Sequence, residues 1–253
     1  NGRGWTLDEN AREEYNSVLV RWGGKYQSGT NLNALNRFRP ADFDEVDRSK
    51  GDIRRFKARD RILRVFQDRG CGQYGIYARF IQNNEGVNDL VTTNEIITTN
   101  NIQYYAGTYG LCGYPTNLVS TQTADYFQDI VTGRAIRLSG DGITDLGLLY
   151  KGQYFLSNLV TPYNKDITRS NGSNAKVMGF FDYFEGQYHT ILQAGANAGT
   201  SYDPYNFSFN ELRNAFCSFY DYHPEWAIGA EDKVYTWKDG ALWKHDSDTY
   251  CNF

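Results

Sequence analysis

The sequence predicts a mainly β protein built from antiparallel hairpins, and three observations predict it. Aromatic residues make up 16% of the 253 residues, with 20 Tyr and 15 Phe against a single Met, a balance that suits pleated surfaces better than helical bundles. The last third is a succession of short runs rich in Phe, Tyr, Trp, Val and Ile: VMGFFD (177–182), YHTILQ (188–193), NFSFN (206–210), FCSFYD (216–221), WAIGA (226–230), KVYTW (233–237) and ALWKHD (241–246). Most of these runs close on Gly, Asn or Asp, which is how successive hairpins look in a sequence. Up-and-down hairpins of this kind build propeller-like blades, with a β-sandwich as the alternative architecture.

Residues 1–58 are polar and irregular, with only short apolar groups such as Val18-Leu19-Val20; they are expected to lie as a packing arm on another surface. Residues 59–253 form the β-rich, propeller-like unit. Its first hairpin pairs RILRVFQ (61–67) with GQYGIYARFI (72–81) across a Gly-containing loop. The Asn- and Thr-rich stretch 83–101 reads as a long surface loop or a ribbon of weak strands. A second hairpin joins ADYFQDI (124–130) to RAIRLS (134–139) through Val131-Thr132-Gly133. Thr144 and Asp145 then offer an N-cap, and Leu146, Leu149, Tyr150 and Tyr154 recur at helical spacing, so one helix is expected near 145–159, ending before Thr161-Pro162. Arg169–Asn174 reads as a loop. The missing initial Met and the abrupt end at Tyr250–Phe253, which resembles the start of another strand, suggest a fragment of a longer chain.

Composition narrows the function classes. A net charge of −4 with both signs interspersed argues against tight sequence-specific nucleic-acid binding, which draws on a basic face. No apolar run is long enough to span a membrane. Cys71, Cys112, Cys217 and Cys251 lack the paired spacing of zinc or redox sites and read as free thiols of a protein folded in a reducing compartment. His189, His223 and His245 fall in or beside strands without metal-ligand spacing, and no nucleophile elbow or phosphate loop occurs. Asp42, Asp44 and Glu45, or Glu225 and Glu231, are imaginable glycosidase carboxylates, but that chemistry needs a separation that sequence does not set. Trp22, Trp226, Trp237 and Trp243 are candidate sugar platforms, though core and hairpin packing explains most of them. The reading is of no catalytic, cofactor-binding or metal residues.

Two blocks carry a family likeness. RWGGKYQSGTNLNALNRF (21–38) with FDEVDRSKGDIR (43–54), and FSFNELRNAFCSFYDYHPEW (207–226) with YTWKDGALWKHD (235–246), resemble the tail muzzle, or stabilisation, proteins of crAss-like bacteriophages. The resemblance implies a virion structural protein and not an enzyme, assembled in the host cytoplasm as a homo-oligomeric ring of a short tail. It also implies contacts with other tail proteins, a place on the DNA exit path with non-specific contact to DNA in transit, and no cofactor. A receptor- or glycan-binding adhesin module of the tail is the alternative, and a glycosidase a more distant third.

Overall fold

A computed structural model of the chain describes residues 15–26, 28–29, 33–83, 86, 88–160, 176–193 and 204–247. Over these residues the protein is mostly β, and the strand pairs are antiparallel. β1 (Leu19–Arg21) and β2 (Phe43–Glu45) pair as an N-terminal ribbon. The first sheet follows, with β3 (Ile53–Arg59), β4 (Ile62–Gln67) and β5 (Cys71–Gly75) in order. β6 (Ala78–Gln82) and β7 (Asn88–Thr92) leave it as a separate ribbon, after which β8 (Gln103–Tyr104) returns to pair with β5.

The next three sheets are simple meanders. β9 (Val119–Ser120), β10 (Asp125–Asp129), β11 (Arg134–Ser139) and β12 (Gly142–Asp145) form the second sheet. β13 (Lys176–Asp182), β14 (Gln187–Gln193), β15 (Tyr205–Asn210) and β16 (Ala215–Tyr220) form the third. β17 (Trp226–Ala230), β18 (Lys233–Lys238) and β19 (Ala241–Lys244) form the fourth. The two hairpins expected at 61–81 and 124–139 are present, except that the strand expected over 72–81 divides into β5 and β6. Tyr77, at φ +53°, turns the chain between them.

Side-chain alternation explains how the sheets stack. Successive residues of a strand point to opposite faces, and β10, buried throughout, uses both. Tyr126 stacks on Tyr188 of the third sheet with ring centroids 5.2 Å apart, while Phe127 meets Phe66 of the first sheet edge-on at 5.8 Å. The second sheet is thus sandwiched between the first and the third. In the third sheet Val177 and Phe181 face the second, and Met178 and Phe180 pack with Ala227 and Val234 of the fourth. The packing is face to face, as in a β-sandwich, and no closed barrel forms among the described residues.

The helix expected over 145–159 is two short ones, α1 (Leu146–Leu149) and α2 (153–160). Asp145 caps α1 by accepting the Leu148 N–H at 2.9 Å, but Lys151 sits at φ +60°. That left-handed turn ends a helix, so the apolar spacing spans two pieces. The stretch expected to be an irregular arm over 1–58 holds β1, β2, a 3-10 turn at Arg48–Lys50 and most of β3, which crosses the expected boundary. Residues 1–14, Arg169–Asn174, Thr161-Pro162, Cys251 and the strand start at Tyr250–Phe253 lie outside the described residues.

Candidate functional site: an edge-lined groove and two end faces

β3, β9, β13 and β17 are the first strands of the four sheets, and each pairs on one side only. They meet at a groove of about 520 Å³ lined by Arg55–Lys57, Leu118–Ser120, Met178–Phe181 and Trp226–Gly229. Runs of three or four consecutive residues include both faces of a strand, so the groove meets these strands at their edges. Each sheet therefore sends its first strand toward a common centre.

Three joints fix this convergence. Between the first and second sheets, Arg55 donates to the carbonyls of Pro115 at 2.9 Å and Leu118 at 3.1 Å. Deeper in the same joint, the fully buried Asp125 accepts from both Arg59 and Arg64, and Arg64 also donates to Ser139 O at 3.0 Å. A buried carboxylate with two guanidinium partners fixes orientation as well as charge. Between the second and third, Thr116 Oγ1 donates to Val177 O at 2.8 Å; a Cβ on Gly179 would lie 2.6 Å from Val119. Between the third and fourth, a Cβ on Gly229 would lie 1.7 Å from Phe181 O. Glycine mid-strand is the sequence signal for such close backbone approach, and it was available at both positions.

The groove is cationic and aromatic. Its charged lining residues are Arg55 and Lys57, beside Phe56, Tyr183 and Trp226, and among the described residues no carboxylate or imidazole lines it. The imagined glycosidase carboxylates do not converge. Asp44 is buried, accepting from Tyr74 OH at 2.7 Å and Asn100 N–H at 3.1 Å, and Glu45 pairs with Arg48 at 3.0 Å. Glu225 and Glu231 flank opposite ends of β17.

His189 and His245 are packing residues. His189 stacks on Phe180 at 4.4 Å, lies 4.8 Å from Tyr220 and hydrogen-bonds Asn206 at 3.3 Å; burial holds its pKa down at about 4. His245 bonds Thr236 at 2.8 Å and packs on Tyr222, and desolvation lowers its pKa too, as it does that of His223. Cys71 and Cys112 are buried free thiols raised in pKa by desolvation, and Cys217 is a half-buried one. Among the described residues no cluster of three or more His, Cys, Asp or Glu side chains is arranged to hold a metal ion.

The two ends of the stack differ. The first sheet turns Val65 and Tyr74 away from the second, and Val18, Val20, Val46 and Ile97 cover them. The fourth sheet turns Trp226 and Ile228 away from the third. Register places Trp226, Trp237 and Leu242 side by side as one rung, and Ile228, Tyr235 and Lys244 as the next. Trp226, Trp237, Leu242 and Ile228 stand exposed. Of the four candidate platform tryptophans, Trp22 packs against the N-terminal cluster and Trp243 is half-buried, whereas Trp226 and Trp237 are not consumed by packing.

In comparison with known protein families, a model described as Crassvirus muzzle protein matches residues 10–240. No curated protein matches the chain.

Proposed function

The chain belongs to the Crassvirus muzzle protein family, a structural component of a phage tail, and from that premise we propose that it assembles as a homo-oligomeric ring on the DNA exit path. The observation that carries the proposal is the family match, which extends over 10–240. In this reading the protein is assembled in the host cytoplasm, sits in the virion against other tail proteins, touches DNA in transit non-specifically and uses neither cofactor nor catalysis.

The geometry supports such a part physically. Four antiparallel sheets packed face to face, with short and direct joints between them, suit a load-bearing part. A wall beside passing DNA needs weak phosphate contact, since each basic contact adds salt-sensitive affinity, and a net charge of −4 with both signs interspersed suits it.

The test is imaging of the intact particle with this chain traced, alongside light scattering of the purified protein. A ring with a central opening is expected. A monomer that fails to assemble even with tail partners present overturns the reading, and glycan binding lost on Trp226→Ala with folding intact favours an adhesin instead.

A further inference from the structure

The fourth sheet ends the stack with an apolar face that nothing within the described residues covers. Trp226 and Trp237 are 48% and 37% exposed, Ile228 47% and Leu242 58%. Together they present roughly 400 Å² of apolar surface, close to the apolar half of the about 800 Å² that each partner contributes to a standard interface. Single exposed hydrophobic residues are ordinary, whereas a contiguous cross-strand ladder of this size matches the largest apolar patch of a typical monomer, which is often functional.

The surroundings of the ladder are acidic. Residues 225–246 carry five carboxylates, Glu225, Glu231, Asp232, Asp239 and Asp246, against three lysines. All five are exposed and none makes an ion pair among the described residues.

A surface of opposite character lies at the other end of the stack. Residues 21–41 contain Arg21, Lys25, Arg37 and Arg39 and no Asp or Glu. The three arginines are exposed and make no ion pair among the described residues. Between them stand exposed Leu35 and Phe38, with Phe43 just beyond. The described part of the segment, 21–26 and 33–43, is held in shape: Gly24 N–H donates to Ala34 O at 2.8 Å and to Arg37 O at 3.1 Å, and Trp22 N–H to Asp42 O at 3.3 Å. It is therefore a preorganised basic and apolar surface, which lowers the ordering cost of binding.

We propose that the outer face of the fourth sheet in one copy docks, head to tail, on the basic surface that Arg21, Leu35, Arg37, Phe38, Arg39 and Phe43 form in a second copy. Trp226, Trp237 and Leu242 meet Leu35, Phe38 and Phe43, and the acidic rim meets Arg21, Arg37 and Arg39. Charge complementarity of this kind favours the head-to-tail pairing over contact between two like ends. Because the two surfaces differ, each copy has one of each to offer, and repetition closes a ring when the rotation between neighbours allows. The inference rests on the homo-oligomeric reading above and assigns the faces that produce it.

One-sided variants test it. Trp237→Glu disables the sheet face and Phe38→Glu the basic segment; both positions are exposed, so folding checked by circular dichroism is expected to be unchanged. In sedimentation of the 253-residue chain, wild type is expected to assemble, in a salt-weakened manner. Each variant alone is expected to lose self-association by roughly thirty-fold or more. Mixed, the two are expected to form a 1:1 dimer that grows no further, because each retains the surface the other lacks. Variants that assemble like wild type overturn the assignment of faces while leaving the ring reading intact. Variants that stay apart when mixed overturn the head-to-tail geometry. A wild-type chain that remains monomeric overturns the homo-oligomeric reading and this inference with it.

Discussion

The two ends of the stack use the same residue chemistry and reach opposite outcomes. On the outer face of the first sheet, Val65 and Tyr74 are sealed by Val18, Val20 and Val46 from the N-terminal ribbon. On the outer face of the fourth, Trp226, Trp237 and Leu242 form a ladder of equal or greater apolar content that stays exposed. A sheet face is stabilising only when something covers it, so the first end contributes to folding while the last is available for contact. The polarity of the neighbours agrees. Behind the sealed face Asp44 is matched to the Tyr74 hydroxyl and the Asn100 amide, whereas the carboxylates around the open face are left to solvent.

The largest loss of stability is expected from Tyr74→Ala at the sealed end. It removes a buried ring and strips Asp44 of one of its two hydrogen-bond donors. Aromatic-to-alanine changes in a core cost about 3–5 kcal/mol, and an under-satisfied buried carboxylate adds to that. Urea denaturation is the measurement, with Tyr74→Phe as the variant that keeps the ring and loses only the hydroxyl. A loss below about 1 kcal/mol for Tyr74→Ala would mean that the N-terminal ribbon does not seal the first sheet.

The joint between the third and fourth sheets has its own sensitivity. His189 is buried between Phe180 and Tyr220 with its pKa held at about 4 against an ordinary value of 6.5. Its folded pKa lies below the unfolded one, so the unfolded chain takes up a proton that the folded joint excludes. Stability is therefore full above about pH 6.5 and falls as the pH drops toward 4, by about 3 kcal/mol at most from this group. His189→Gln is expected to flatten that segment of the pH profile of the urea midpoint. An unchanged slope between pH 6.5 and 4 in the variant would assign the acid loss to other groups.

How far the sequence foretold these differences depends on the kind of information each needed. The hairpins at 61–81 and 124–139 were legible because local alternation and turn residues define them, apart from the break between β5 and β6 at Tyr77. The helix was misjudged in length because leucine and tyrosine spacing says nothing about the left-handed turn at Lys151. In the sequence Asp44 reads as an imaginable glycosidase carboxylate and Asp125 only as part of the strand run 124–130. Only tertiary contact supplies the Tyr74 hydroxyl to one and two arginines to the other. The convergence of first strands was the least legible feature, since sheet-to-sheet placement is non-local. Gly179 and Gly229, set inside strand-like runs, were its one local trace. The tryptophans show the same limit: alternation puts Trp226 and Trp237 on one face of a hairpin, but whether that face is covered depends on residues far away in the chain.

At the open end a substitution is expected to leave the monomer almost unchanged. Leu242→Ser deletes an apolar side chain 58% exposed on the edge strand β19. Measured by urea denaturation at a protein concentration low enough to keep the chain monomeric, it is expected to change stability by no more than about 0.5 kcal/mol, as surface substitutions away from packing or hydrogen-bonded features do. The same change at a sealed position of similar size costs several times more, because burial and cavity terms both apply there. If Leu242→Ser destabilised the monomer by more than about 1 kcal/mol, the ladder would be part of the fold and not a contact surface. A near-zero monomer effect combined with weakened self-association would separate the two roles in a single variant, since only the covered state of the face then depends on the leucine.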